Sequence, residues 1–85
     1  MDRIAEDVLA IIADKGHVDR ARLALDARLA DLSIASLDVI EIIFALEERF
    51  QIAIPFNAND ARQEFDTVGD IVRAVEAEVA QRRVA

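Results

Sequence analysis

The residue of greatest chemical interest in this chain is Ser36. It lies in SIASLDVIEI, residues 33–42, where a strongly apolar run begins. Serine is favoured at the start of a helix, because its hydroxyl accepts a hydrogen bond from a backbone N–H of the first turn. We therefore expect Ser36 to cap a helix. These residues leave open whether it is only a cap or also a point of attachment.

The other candidates for catalysis are isolated. The single histidine, His17, follows Gly16 without an evident partner, and we expect it to lie in a loop. Asp38 and Glu41 are one helical turn apart, but two carboxylates on an exposed helix are usually only solvated, so we predict no metal site. Because catalysis near neutral pH requires convergent acid, base or nucleophilic groups, we predict that the protein is not an enzyme.

Cysteine is absent from the sequence, which excludes disulfides and thiolate-based metal or redox sites. The N-terminal segment carries acids where a signal peptide would be basic, and no apolar run is long enough to cross a bilayer. We therefore expect a cytoplasmic protein without membrane insertion.

Acidic residues dominate the charge of the chain. Seventeen acids and ten bases give a net charge of −7, which disfavours nucleic acid as a partner because phosphate backbones repel acidic surfaces. Residues 31–56 hold five acids and one base, and so carry more than half of this net charge. The acidic excess is therefore concentrated around Ser36.

The composition predicts a single all-α domain over residues 1–85. The chain has two glycines, one proline and many Ala, Ile, Leu and Val residues, which is typical of a small helical bundle. We expect three main helices and one short helix. The predicted bounds are Asp2 to Asp14 with Gly16 just past the end, Ser36 to about Phe50, a short helix around 59–64, and a last helix from Thr67.

Two local patterns refine this prediction. TVGD, residues 67–70, places an acid three residues after a threonine, which is close to the pattern of a capping box. Residues 17–35 are less regular, and we expect an ordered connection there that can contain a helical turn. Leu25, Leu29 and Leu32 are spaced so that all three are expected to point inward.

The second predicted helix has two dissimilar faces at 100° per residue. Its inward face is expected to hold Val39, Ile42, Ile43, Leu46 and Phe50. Leu37, Glu41, Phe44 and Glu48 lie almost opposite, with Ile40 and Glu47 on one flank. Large apolar residues flanked by carboxylates are typical of a helix that docks into an apolar groove with a basic rim. The alternative is that another element of the fold covers this face.

At this point the residues match a known pattern. DLSIASLDVIEIIFALEERFQIAIP, residues 31–55, resembles the central segment of acyl carrier proteins and related phosphopantetheine-bearing carrier domains. The shared features are a serine followed by Leu-Asp, Glu41 one turn later, the ALEERF run and the IAIP exit. FDTVGDIVRAVEAEV, residues 65–79, resembles the last helix of the family.

The resemblance implies a function for Ser36. This serine would accept 4′-phosphopantetheine from coenzyme A through a phosphopantetheinyl transferase, and the thiol of that group would carry acyl groups as thioesters in fatty acid, lipid or polyketide-type synthesis. An anionic phosphodiester suits a helix N-terminus, where free N–H groups and the helix dipole favour negative charge. Acyl-processing enzymes such as a ketosynthase or an acyltransferase would bind a surface formed by Leu37, Asp38, Ile40, Glu41, Phe44, Glu47 and Glu48.

The resemblance also implies an interior that can admit an alkyl chain. A bundle of three helices and a short fourth can part slightly for this purpose. The residues expected to line that interior are Ile42, Ile43, Leu46, Phe50, Ile54, Phe65 and Ile71.

One residue departs from the family pattern. The family usually has aspartate immediately before the serine, where this chain has Ala35. This departure implies a dedicated or tolerant transferase and a specialised carrier, which we expect to be a monomer. It also favours an alternative, an unmodified protein-binding module with the carrier fold. A peptidyl or aminoacyl carrier is a further alternative, because such carriers share the fold and the serine.

Overall fold

The structure, a computed structural model, describes residues 3–55 and 65–83. In these residues the elements are α1 (Arg3–Gly16), a 3-10 turn (Arg20–Arg22), α2 (Ser36–Phe50) and α3 (Val68–Arg83). The predicted all-α fold with three main helices is confirmed. The predicted short helix around 59–64 lies outside the described residues.

One apolar core joins the three helices, and α1 packs against both of the others. Each helix contributes a stripe of side chains at helical spacing, as an amphipathic helix must do to bury one face. The connection between α1 and α2 adds Leu23, Leu29, Leu32 and Ile34 to this core. The helical residues that are wholly inaccessible to solvent are Val8, Leu9, Ile12, Val39, Ile42, Ile43, Leu46, Val68, Ile71 and Val75.

The first helix ends later than the sequence suggested. Gly16 is its last residue, and His17 adopts the left-handed conformation that a residue after a helix often takes, with φ 56°. The Val18 N–H then donates to the Ala13 carbonyl at 3.1 Å, which closes the end of the helix. A Cβ at Gly16 would lie 3.4 Å from Ile34 Cδ1, an ordinary van der Waals contact, so this position does not require glycine for its size.

The connection between α1 and α2 is ordered and includes the 3-10 turn, as predicted. Leu29 and Leu32 are buried, but the prediction for Leu25 is wrong, since 44% of this residue is exposed. Leu25 contacts the bundle through its backbone and not through its side chain. Its carbonyl accepts a hydrogen bond from Gly69 N–H at 2.7 Å.

The capping box at the start of α3 is confirmed. The Thr67 hydroxyl accepts a hydrogen bond from Asp70 N–H at 3.2 Å, and the Asp70 carboxylate accepts one from Thr67 N–H at 3.1 Å. Partial burial raises the pKa of the Asp70 carboxyl, but the N–H groups of Thr67 and Asp66 and the Arg73 guanidinium together outweigh it. The net pKa of Asp70 therefore lies below its ordinary value.

Among the described residues, no helix is both long enough and apolar enough to span a bilayer.

Candidate functional site

Ser36 is an exposed residue that lies between two buried residues, Ile34 and Val39. It is the first residue of α2, and Ala35 before it has extended backbone, with φ −71° and ψ 157°. Ile34 and Val39 are both fully buried. Their burial fixes the backbone where the chain enters the helix, so that Ser36 lies at a defined point of the surface.

The prediction that Ser36 caps α2 is wrong. The cap is Ala35, whose carbonyl accepts the first helical hydrogen bond from Val39 N–H at 3.0 Å. Ser36 is already helical, one position further along. The positions of the buried residues Ile34 and Val39 set this phase, and residue preference at the cap is a weaker influence. Since alanine has no side-chain acceptor, α2 begins without a side-chain cap.

The start of α2 therefore presents backbone donors that the helix itself does not use. The N–H groups of Ser36, Leu37 and Asp38 precede the first helical hydrogen bond, and the cap residue supplies no side-chain acceptor for them. A negative charge is favoured at this end of a helix. An exposed hydroxyl beside such donors fits a phosphodiester attached through Ser36 Oγ.

Hydroxyl groups are scarce in the chain, which narrows the choice of attachment residue. The sequence holds only Ser33, Ser36 and Thr67, and no tyrosine. The Thr67 hydroxyl accepts a hydrogen bond in the capping box of α3. Ser33 is exposed and left-handed, with φ 59°, in the turn before α2. The composition alone provides this count.

The outward face of α2 carries exposed apolar groups and acids together. Leu37 is 66% exposed and Phe44 57% exposed. Glu41 and Glu48 are exposed on the same face, while Asp38 and Ile40 are half-buried at its edge. The four exposed residues therefore lie on one accessible face, as their spacing predicts. They are Leu37, Glu41, Phe44 and Glu48.

Glu47 differs from the other residues that were predicted to bind partners. It is half-buried, and its carboxylate accepts a hydrogen bond from the Ile54 backbone N–H at 2.8 Å. This bond fixes the chain as it leaves α2, after the left-handed residue Gln51. Glu47 therefore has a structural role that helical spacing could not reveal, because the bond depends on the path of the following segment.

A groove lies between the end of α1 and the outward face of α2. Its volume is about 300 Å³, and it is lined by Lys15, Glu41, Phe44, Ala45 and Glu48. Lys15 and Ala45 were not among the residues singled out from the sequence. The periodicity of α2 alone could not identify Lys15, because its position depends on how α1 packs against α2.

The inward face agrees with the sequence prediction except at Phe50. This residue is half-buried at the margin of the core, and the Arg49 guanidinium lies 5.5 Å from its ring centroid. Arg82 of α3 donates hydrogen bonds to the Phe50 and Gln51 carbonyls, which closes the C-terminal end of α2. The remaining residues predicted for the interior are all buried: Ile42, Ile43, Leu46, Ile54, Phe65 and Ile71.

The charges of α2 divide into paired and unpaired groups. Arg49 forms an ion pair with Asp7 of α1 at 3.2 Å, and so links the two helices. Within the described residues neither Glu41 nor Glu48 has an ion-pair partner. The only basic residue of α2 is thus engaged on the side of α1, and two carboxylates of the outward face remain uncompensated.

Residues 3–55 and 65–83 contain no group of three or more side chains that could hold a metal ion.

Comparison with known proteins shows which family model and which relatives the chain matches, and which solved structure shares its fold. Residues 6–75 match the family model described as phosphopantetheine attachment site. An acyl carrier protein of Helicobacter acinonychis is 42% identical over 72 residues, which are 84% of this chain and 88% of that protein. An acyl carrier protein of Amoebophilus asiaticus is 39% identical over 83 residues, covering 96% of this chain and all of that protein.

The fold is also that of a solved structure. The hexanoyl acyl carrier protein of the actinorhodin polyketide synthase in Streptomyces coelicolor superposes with a TM-score of 0.67. The superposition covers 95% of this chain and 91% of that one, at 22% sequence identity. At this identity the likeness concerns the arrangement of the helices alone.

Proposed function

The chain belongs to the acyl carrier protein family, and we propose that Ser36 is the residue that bears its phosphopantetheine group. As a member of this family it carries acyl groups as thioesters on covalently attached 4′-phosphopantetheine. Because the chain has no cysteine, the thiol of that group is the only thiol of the modified protein.

One observation carries the assignment of Ser36. Ser36 is an exposed residue at the first position of α2, beside backbone N–H groups that no side-chain cap engages. An attached phosphodiester finds donors there without any rearrangement of the fold. Thr67 is already used as a cap, and Ser33 lies outside the helix, so neither offers the same surroundings.

The modification joins two groups and releases a third. The Ser36 Oγ forms a bond to the phosphorus that carries the pantetheine, and the phosphoanhydride bond of coenzyme A breaks. The nucleotide half of coenzyme A, 3′,5′-ADP, leaves, and a base of the transferase takes the hydroxyl proton. The product is a phosphodiester, whose negative charge lies at the positive end of α2.

The outward face of α2 is the proposed docking surface for the transferase and the acyl-processing enzymes. It comprises Leu37, Asp38, Ile40, Glu41, Phe44 and Glu48. Apolar groups at its centre contribute affinity, and the uncompensated acids favour partners with a basic surface. Glu47 supports this surface by its bond to Ile54.

The inward face of α2 is the proposed interior for the acyl chain. Ile42, Ile43 and Leu46 meet Ile71 of α3 and Ile54 of the exit segment in a single apolar cluster. A separation of the helices would let an alkyl group take the place of contacts between these side chains.

We further propose that the protein is a non-catalytic carrier that forms one domain over residues 1–85. Its cytoplasmic location and monomeric state stay predictions.

Intact-mass spectrometry tests the attachment. The purified chain, incubated with coenzyme A and a phosphopantetheinyl transferase, is expected to gain about 340 Da, the mass of one phosphopantetheinyl group. Ser36→Ala is expected to abolish the gain. Ser33→Gly is the matched control, because glycine accepts the left-handed conformation of residue 33 while the hydroxyl is lost.

A second candidate function is favoured by Ala35. A protein-binding module with the carrier fold would keep the acidic face of α2 and remain unmodified. No mass gain with several different transferases, together with retained binding to a basic partner surface, would establish this alternative and exclude the attachment.

A further inference from the structure

We propose that Arg82 limits the length of the acyl chain that the interior can hold. This side chain extends from α3 and donates hydrogen bonds to the Phe50 carbonyl, at 3.0 Å, and to the Gln51 carbonyl. It therefore links the last turn of α3 to the C-terminal end of α2. The inference rests on the proposed function, in which an alkyl chain lies between the helices, and it names the residue that closes one end of that interior.

The bonds of Arg82 lie at the end of α2 that is farthest from Ser36. Ser36 is the first residue of this helix and Phe50 the last, so about 21 Å of helix axis separates them at a rise of 1.5 Å per residue. An alkyl chain that lies along the inward face of α2 from the Ser36 end passes Ile43 and Leu46 before it reaches Phe50. Arg82 thus lies where only the longest chains would arrive.

The interior can widen most easily between α2 and α3. In the described residues α1 packs closely against both, whereas α2 and α3 approach each other less closely. The start of α3 is held to the connection by backbone bonds. The Val68 N–H donates to the Ala27 carbonyl at 2.9 Å, and the Gly69 N–H donates to the Leu25 carbonyl at 2.7 Å. At the opposite end, separation of α2 from α3 requires the bonds of the exposed Arg82 side chain to break.

The carbonyl groups at the end of α2 show why a residue of α3 matters there. The last carbonyls of a helix have no partner within it. The Glu47 carbonyl accepts a hydrogen bond from Gln51 N–H, and the Glu48 carbonyl accepts one from the Gln51 side chain at 2.7 Å. The Phe50 and Gln51 carbonyls accept from Arg82 instead. A guanidinium suits this place because its charge complements the negative end of the helix and strengthens its hydrogen bonds.

Apolar side chains lie just inside the bonds of Arg82. Phe50 and Val79 are half-buried and pack against the core, and Val79 precedes Arg82 by one helical turn. Leu46, one turn before Phe50, is fully buried. An alkyl chain that replaces contacts among these apolar side chains stays in apolar surroundings. A longer chain must break the bonds of Arg82 or leave its end in water, where further methylenes gain no burial.

The test measures the melting temperature of the protein loaded with saturated acyl groups of increasing length, from butyryl to palmitoyl. Each form is prepared from the corresponding acyl-coenzyme A with a phosphopantetheinyl transferase. Its melting temperature is compared with that of the same protein bearing phosphopantetheine alone. Because each buried methylene adds to the stability, the gain in melting temperature should rise with chain length in the unaltered protein and then stop. The length at which it stops is the limiting length.

Two variants assign the limiting length to its source. Arg82→Met keeps an unbranched side chain without a donor for the two carbonyls, and the gain should continue for at least one further acyl group of the series. Arg73→Met is the matched control on the same helix. It removes an ion pair with Asp70, at 2.6 Å, that lies within α3, and it should leave the limiting length unchanged even where it lowers stability.

Three results would overturn the inference. They are an equal limiting length in Arg82→Met and the unaltered protein, a longer limit in Arg73→Met as well, or a gain in the unaltered protein that continues through palmitoyl. Two other results would remove its basis in the proposed function, and each is distinct. A normal mass gain without stabilisation by any acyl group would reject the acyl interior, whereas a missing mass gain would reject the attachment.

Discussion

Ala35 leaves the start of α2 without a side-chain cap. An aspartate or asparagine at this position would accept a hydrogen bond from the first turn, but alanine supplies none. The unmodified helix therefore starts with backbone donors that no side-chain cap engages, and the phosphodiester proposed at Ser36 would be an anion close to them. The same residue is the one at which the sequence departs from the usual pattern of its family.

Substitution of Ala35 separates two effects of the missing aspartate. Ala35→Asp and Ala35→Asn should each raise the free energy of unfolding by about 0.5–2 kcal/mol, because both side chains cap helices well. Urea denaturation of the unmodified protein measures this gain. Only Ala35→Asp should also accelerate modification by a transferase of broad specificity, as followed by the rate of mass gain.

The two variants also distinguish the possible explanations of a change in rate. Equal acceleration by asparagine and aspartate would attribute the effect to helix capping, and would contradict a role for the carboxylate in recognition by the transferase. An unchanged rate in both variants would show that Ala35 does not limit modification.

At the level of single residues the sequence predicted the position of Ser36 in α2, but not which residue caps the helix. Residue type and motif correctly placed Ser36 at the start of α2. The role of cap went to Ala35 because the burial of Ile34 and Val39 sets the phase of the helix, and this depends on tertiary packing. The prediction that Leu25 points inward was wrong for a related reason, since its carbonyl and not its side chain contacts α3.

The connection before α2 is held to the start of α3 by backbone contacts. The Leu29 N–H donates a hydrogen bond to the Asp66 carbonyl at 2.9 Å. The Val68 N–H donates one to the Ala27 carbonyl at 2.9 Å. Arg28 and Asp66 add an exposed ion pair at 3.3 Å. These contacts fix the segment that leads to Ser36 against a helix that is distant in sequence.

Alanine substitutions at the two glycines should have different outcomes. A Cβ at Gly69 would lie 2.8 Å from the Leu25 carbonyl oxygen, so Gly69→Ala should destabilise the fold by roughly 1–3 kcal/mol despite the better helix propensity of alanine. A Cβ at Gly16 would lie 3.4 Å from the end of the Ile34 side chain, which can adjust.

Thermal denaturation of both variants checks this contrast. The melting temperature should fall clearly for Gly69→Ala and change little for Gly16→Ala. A stabilised Gly69→Ala protein would mean that the connection does not pack tightly against α3.

The capping box of α3 should make stability depend on pH. The pKa of Asp70 is lower in the folded chain than its ordinary value, so the stability that it contributes is complete above about pH 4 and is lost as pH falls through the folded-state pKa. Asp70→Asn should cost roughly 0.3–1.5 kcal/mol at neutral pH and less in acid.

Urea denaturation at a series of pH values measures this dependence. The difference between the original protein and Asp70→Asn should shrink as the pH falls from about 4 through the lowered folded-state pKa of Asp70. A difference that stays constant over this range would exclude a contribution from the charge of Asp70.

At the scale of the elements, strong periodicity and cap motifs were reliable guides. The capping box of α3 could be predicted because it depends on nearby residues, and the predicted bounds of α2 agree with the observed helix. The end of α1 could not be predicted, because glycine is common just past the end of a helix, whereas here Gly16 is the last helical residue and His17 takes the left-handed position after it.

In the whole molecule, one face of α2 lies in the core and the opposite face, which we propose as the partner-binding surface, is exposed. Leu46→Ala, in the core, should reduce the free energy of unfolding by about 2–5 kcal/mol. Glu41→Lys, Glu48→Lys and Phe44→Ala, on the outward face, should leave helicity almost unchanged and weaken partner binding. Because rim charges act through association rate, the loss should be greater at low ionic strength.

Circular dichroism and binding to the transferase at two salt concentrations measure this separation. Unfolding of the outward-face variants would contradict the assignment of the two faces.

The groove beside α1 could not be predicted from the sequence. It forms only where α1 and α2 pack together, and so it depends on the whole fold.

The most direct test of the attachment is the location of the added mass within the chain. Trypsin should release residues 29–49 as one peptide, which contains Ser33 and Ser36 but not Thr67. After modification, fragmentation of this peptide should place the increment of about 340 Da on Ser36. An increment on Ser33, or on any other peptide, would contradict the assignment of Ser36 as the attachment residue.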